Sequence, residues 1–199
     1  MILRNTTCLD SALLGRMISE SVAGWRHDDL CVLIRYSRKA VFSGTCYYRP
    51  PRIYVNLGRA NQYPLSVATH VARPASNRRF WWREVYRVEL ADASQLALFI
   101  FLHEFFHYLV KRAGRNVRQK EARCDRFALR AMVDRFGSLV IDSKGRPVPR
   151  ETWDFQDLDG FVAAARVKSP LCRVADRIGN APSTANAGAQ AEQVLLFGN

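Results

Sequence analysis

Residues 96–114, "LALFIFLHEFFHYLVKRAG", set two histidines and a glutamate in the middle of an otherwise apolar helical run. Burying His103, Glu104 and His107 without partners would cost free energy, so the rest of the chain must supply something that compensates them. His103 and His107 stand four residues apart. That spacing projects both imidazoles from one side of a helix, about one turn apart, where they can converge on a single ion. Glu104 lies on the flank beside them. In the His-Glu-x-x-His pattern two neutral imidazoles ligate zinc, and the carboxylate takes a proton from the attacking water. The competing reading is a pair of satisfied core histidines beside an incidental glutamate.

The flanks of this run define two helices. "DASQ" at 92–95 opens the first, with Asp92 as cap and Gln95 reaching back. It is expected to run to about Ala113 and stop at Gly114, and the second, "VRQKEARCDRFALRAMVDRF" at 117–136, to stop at Gly137. If the chain reverses near Gly114, residues equally distant from the turn come level, which sets Glu121 opposite His107 and Asp125 opposite His103. A catalytic zinc needs three protein ligands and an open position. Glu121 is positioned to be the third ligand, and Asp125 to accept the other ring N–H of a ligand histidine. Otherwise these two acids form a solvated face paired with Arg118, Lys120 or Arg126. Cys124 is a competing ligand, although a free cysteine on a helix is more often a small core residue.

"HEFFH" followed by "EARCDRFA" resembles the gluzincin branch of zincin metallopeptidases, in which a helix bearing the two histidines is followed by one bearing Glu-x-x-x-Asp. More narrowly it resembles the ImmA/IrrE-type peptidases, whose second helix commonly reads Glu-x-x-Ala-Asn/Asp-x-Phe-Ala. Glu121, Asp125, Phe127 and Ala128 match, and Cys124 stands where alanine is usual. The likeness covers roughly residues 30–137. SprT-like proteases are a weaker relative, because their third ligand is a later histidine and none follows His107. The resemblance implies an α+β, zincin-like fold in which a small antiparallel sheet packs on the active-site helices. It also implies Zn2+ as cofactor and a specific protein substrate, of which a DNA-bound regulator is one kind.

Upstream, Leu9, Leu13, Leu14, Met17, Ile18 and Val22 share one face of an opening helix capped by Asp10 or Ser11. "LCVLIRY", "AVFSGTCYY" and "RIYVNLG" read as three strands of an antiparallel meander. Residues 58–80, with Pro64 and Pro74, read as a long loop, and "EVYRVEL" at 84–90 as a fourth strand, at whose edge an extended peptide could add. Residues 1–137 form the metallopeptidase domain in this reading, and 138–180 an extension packed on it, with a helix at "LDGFVAAARV". Residues 181–199, rich in small polar residues, read as disordered.

The chain of 199 residues is 48% hydrophobic, enough to bury a real core. The apolar run Leu96–Leu102 is far shorter than a bilayer span, so no membrane segment is expected. No secretory signal opens the chain, and five scattered cysteines fit a reducing cytoplasm. Residues 138–199 carry no net charge, so the whole formal excess of +12 lies in residues 1–137. Such a field attracts nucleic acid or acidic partners. Two basic stretches stand out, "NRRFWWREVYR" at 77–87 and "KRAGRNVRQK" at 111–120. The first could grip a single strand, but the favoured reading packs Trp81 and Trp82 beneath a loop with the arginines solvated. His70, Tyr54, Tyr86 and Arg126 remain, by elimination, as candidate oxyanion donors. The expected activity is zinc-dependent peptide hydrolysis with Glu104 as general base. The alternative is a non-catalytic nucleic-acid or protein-binding module with a structural metal site.

Overall fold

In the computed structural model residues 1–118 and 120–167 are described, and the expected tail 181–199 and the end of the 138–180 extension lie outside them. Helices and small sheets are mixed in an α+β arrangement. A short strand β1 (Ile2–Asn5) precedes helix α1 (Ser11–Ser21), whose cap Asp10 accepts from the backbone N–H groups of Ala12 and Leu13. The three expected strands follow as β2 (Cys31–Tyr36), β3 (Phe42–Tyr48) and β4 (Pro51–Leu57). They do not form a meander. The sheet order is β1-β2-β4-β3, with β1 parallel to β2, β2 parallel to β4, and β3 antiparallel to β4. Val32 and Ile34 of β2 stand in register with Ile53 and Val55 of β4, all fully buried. Putting the two most apolar strands side by side at the centre leaves β3, with Ser43, Gly44 and Thr45, as an edge.

Residues 58–80 are not a plain loop. They contain β5 (Leu65–Thr69) and β6 (Pro74–Ser76); β6 forms a hairpin with β7 (Trp81–Arg83), and β5 pairs with β8 (Tyr86–Leu90). The prolines that suggested a loop sit just before β5 and at the first position of β6, where a missing N–H breaks no ladder bond. β8 is the fourth strand expected at 84–90, but it lies between β5 and β9 (Val140–Ile141) in a separate sheet. Paired on both sides, it is no docking edge.

Helix α2 (Ala93–Arg112) carries the histidines and packs against β3, β4 and helix α3 (Glu121–Phe136). Asp92 accepts from the N–H groups of Ser94 and Gln95, and Gln95 Oε1 accepts from Ala91 N at 2.9 Å. Every residue from Leu96 to Val110 is buried. By length and composition α2 could cross a bilayer; here the surrounding sheet and helices enclose it. Gly114, at φ +69°, makes the turn between the helices, and α3 begins at Glu121, later than the pattern from Val117 suggested. Its end at Gly137, in the left-handed region, is as expected.

The chain then returns through α4 (Arg150–Trp153), α5 (Leu158–Phe161) and a 3-10 turn at Ala163–Ala165, so the helix read at 158–167 is broken into two short pieces. Trp153, Leu158, Val162 and Ala165 are buried in the common core. Arg126 of α3 ties this segment down, donating to the Trp153 carbonyl, to Gln156 Oε1 at 2.6 Å and to the Val71 carbonyl at 2.7 Å.

Candidate metal centre

The antiparallel pairing of α2 and α3 brings five sequence-selected residues together. Glu121, the first residue of α3, sets Oε2 3.1 Å from His103 Nε2 and Oε1 3.3 Å from His107 Nε2. One helical turn later, Asp125 Oδ1 lies 2.7 Å from His103 Nδ1. The two carboxylates therefore take different nitrogens of the same ring. With Nδ1–H donated to Asp125, Nε2 of His103 is turned toward Glu121, to which it donates in the metal-free protein, and once deprotonated it has the orientation a metal-ligating imidazole requires. The imidazoles of His103 and His107 are 5.2 Å apart between ring centroids.

Electrostatics in this cluster follow from burial. Burial works against a charged His103, but its hydrogen bonds to Asp125 and Glu121 outweigh that and raise it to about 10. Burial would raise Glu121 and Asp125, yet the histidines facing them hold both carboxyls well below their usual range. Glu104, almost wholly enclosed, is pushed up to about 8 by burial, against the pull of His103. A cation on His103 thus already neutralises the acids where a metal ion would. Among the described residues Glu104 Oε2 and both ring nitrogens of His107 are buried without a hydrogen-bond partner, the 3.3 Å approach of His107 Nε2 to Glu121 being an ion-pair contact alone. Each such orphan costs about 1–3 kcal/mol. Two imidazoles, an ionised carboxylate and the orphaned Nε2 of His107 facing it suit a divalent cation of zinc's ligand preference.

A glycine that the sequence reading did not single out shapes the site. Gly44 of β3 faces α2, and a Cβ at that position would lie 2.4 Å from Glu104 Oε1 and 2.7 Å from its Cγ. Edge strand and catalytic-type glutamate share one space, and only glycine leaves room. The register Gly44↔Val55 puts it on the buried face of the sheet. A lone glycine in a strand pattern is the one signal that could have pointed to it.

His70, one of the oxyanion candidates, joins the cluster. Asp125 Oδ2 accepts from its backbone N–H at 2.7 Å and faces its Nδ1 at 3.0 Å, so one carboxylate holds both His103 and His70. The hydrogen bond to Asp125 raises the pKa of His70. His70, His103 and Asp125 line a cleft of about 670 Å³ with Phe42, Val67 and Phe99. The other oxyanion candidates fall away. Tyr54 is in register with Leu33 and Thr45, on the sheet face opposite Ile53 and Val55. Tyr86 is a core residue, and the guanidinium of Arg126 is spent on Trp153, Gln156 and Val71.

Cys124 is fully buried, and with His103 and His107 it can offer donor atoms all within 4.8 Å of one another. In the metal-free protein its burial and the neighbouring carboxylates Glu121, Glu104 and Asp125 push the thiol well up. The two basic stretches also differ from expectation. Trp81 and Trp82 are not packed beneath a loop but 66% and 45% exposed, and Phe80 beside them is 67% exposed. In the second stretch Arg112 pairs with Asp29 at 3.2 Å and Arg115 lies over Phe161, so these two are partly engaged. No protein-family model matches this chain, and no match is found among curated proteins or solved structures.

Proposed function

We propose that this protein is a zinc-dependent peptidase of the gluzincin type, most like the ImmA/IrrE-type enzymes, that hydrolyses peptide bonds of a protein substrate. The observation that carries the reading is the division of labour between two carboxylates: Glu121 meets Nε2 of both histidines while Asp125 holds Nδ1 of His103. In this reading His103, His107 and Glu121 hold the metal and Asp125 orients a ligand. A zinc ion there supplies Lewis acidity, polarising the scissile carbonyl and acidifying water. Glu104, enclosed and without a hydrogen-bond partner for Oε2, takes a proton from the attacking water and returns it to the leaving amine as the C–N bond breaks. His70, its Nδ1 held by Asp125 at the cleft wall, donates to the oxygen on which charge develops.

An extended substrate finds its backbone partner at a different strand from the one the sequence suggested. Among the described residues β5 pairs only with β8, and β3 only with β4, and both contribute to the cleft wall through Leu65–Ala68 and Phe42. Either free edge can accept a strand in the cleft. The apolar residues Phe42, Val67 and Phe99 there favour apolar side chains in the substrate.

The test compares wild type with Glu104→Gln after incubation with a proteome whose existing N-termini are blocked. New N-termini in the wild-type sample that the variant fails to generate support the reading; none above the variant's background rejects peptidase activity. A second reading is favoured by the compact His103–His107–Cys124 grouping. It is a metal site that serves stability alone, in a binding module, and there Cys124→Ala would release the metal while Glu121→Ala would not.

A further inference from the structure

The exposed rings and the basic residues left unexplained by the metal centre meet at one place. In the β6–β7 hairpin Asn77 Oδ1 accepts from the N–H groups of Arg79 and Phe80, which fixes a turn presenting Arg78 and Arg79 at its tip. Trp81 and Arg83, two residues apart on one strand, share a hairpin face, and the Arg83 guanidinium lies 5.8 Å from the Trp81 ring centroid. Arg83 then turns inward, donating to the His70 carbonyl at 2.8 Å, and lines a cavity of about 380 Å³ together with Lys120, Arg123, Arg126 and Phe155.

Among the described residues no carboxylate lines this cavity. Asp154, the acid whose charge acts on Arg126, is already engaged by Arg130 at 2.6 Å and Arg150 at 3.0 Å, and Glu121 faces the histidines. Arg83 and Arg123 oppose the charge on Arg126, which burial already lowers. Arg83 Nε is itself buried without a partner among the described residues. Crowded cations around an empty volume are relieved by an anion. The first turn of α3 adds to this, since Lys120 provides no side-chain cap for the helix N–H groups.

We infer that the β6–β7 hairpin and the basic cavity beside it bind single-stranded nucleic acid, with Trp81 stacking on a base while Arg83, Lys120 and Arg123 hold the adjoining phosphates. Exposed aromatic rings beside a basic groove are what a single strand needs, because every base has a stacking face and every linkage a charge. A duplex hides its base faces and cannot use Trp81. Trp82 points to the other hairpin face and contributes less. Glu84, just past the hairpin, is the one acid adjoining it in sequence. The inference stands on residues outside the metal centre and holds whether or not the protein is a peptidase.

The experiment measures binding of the whole protein to a fluorescently labelled oligothymidylate of about 15 nucleotides, with a duplex of equal length and poly-glutamate as competitors. Binding should weaken with salt at a log–log slope of about −0.7 per phosphate neutralised, and Arg83→Gln and Arg123→Gln should each flatten it by roughly that amount. Trp81→Ala, at an exposed site that leaves the core intact, should cost about 5- to 150-fold, and more than Trp82→Ala. Oligonucleotide should quench tryptophan emission, since Trp25 and Trp153 are buried and Trp81 is exposed. Absence of binding at low salt overturns the inference. So does a duplex or poly-glutamate competing as well as the single strand, or affinity indifferent to Trp81→Ala.

Discussion

Asp125 Oδ1 stands 2.7 Å from His103 Nδ1, and its other oxygen accepts from the backbone N–H of His70 at the same distance. One buried carboxylate therefore fixes both the orientation of the His103 ring and the position of the loop that brings a second histidine to the cleft. Arg126, the next residue, donates to the Val71 carbonyl. Two consecutive side chains of α3 thus clamp two consecutive residues of the loop.

Asp125→Asn should weaken zinc binding by about 10- to 100-fold, since the amide orients His103 less well, and Glu121→Ala should weaken it more. Competition with a chromophoric chelator measures both. If Asp125→Asn proves the more damaging, the ligand and orienting roles are reversed.

Gly44→Ala should retain zinc and the fold but lower peptide hydrolysis, because the new methyl occupies the position of the Glu104 carboxylate. A displaced general base costs on the order of 10²- to 10⁴-fold in rate. Zinc content and circular dichroism separate this from misfolding. Full activity in Gly44→Ala would mean that Glu104 works from another position.

Metal-free protein should lose stability as pH rises from about 6.5 to 10, whereas below 6.5 His107, held low by burial, opposes the loss. His103 is raised to about 10, so its contribution is complete below its ordinary 6.5 and vanishes as pH climbs through the folded value. Glu104 acts in the same direction, because a folded carboxyl raised to about 8 resists ionisation that the unfolded chain accepts from 4.5 upward. Glu121 and Asp125, both lowered, give stability that is lost only on acidification below about 4. Thermal melts of chelator-treated protein across this range check the slope, and Glu104→Gln should remove its lower part. A melting temperature independent of pH would contradict the charge arrangement.

Local signals made the helices legible. Asp10 and Asp92 cap where their neighbours suggested, and Gly114 and Gly137 mark the turns, because caps and left-handed glycines act within a few residues. Levelling residues about Gly114 brought Glu121 and Asp125 to the histidines for the same reason. Strand partnership was not legible. β2 joins β4 in parallel instead of its neighbour β3, a pairing that skips a whole strand and that no short window of sequence contains. Gly44 escaped notice, and His70 was a candidate by elimination alone, because their partners, Glu104 and Asp125, are 60 and 55 residues away. The exposed tryptophans went the other way: apolar residues suggested burial, but a three-residue hairpin strand has no second layer to cover them.

X-ray absorption at the zinc edge, on the purified protein, tests the assignment of the metal centre most directly. The expected result is close to one zinc per chain surrounded only by nitrogen and oxygen at about 2.0–2.2 Å, lost in His103→Ala and His107→Ala. A sulfur scatterer at about 2.3 Å would transfer the third ligand to Cys124, and a protein that binds no zinc would contradict the metal centre altogether.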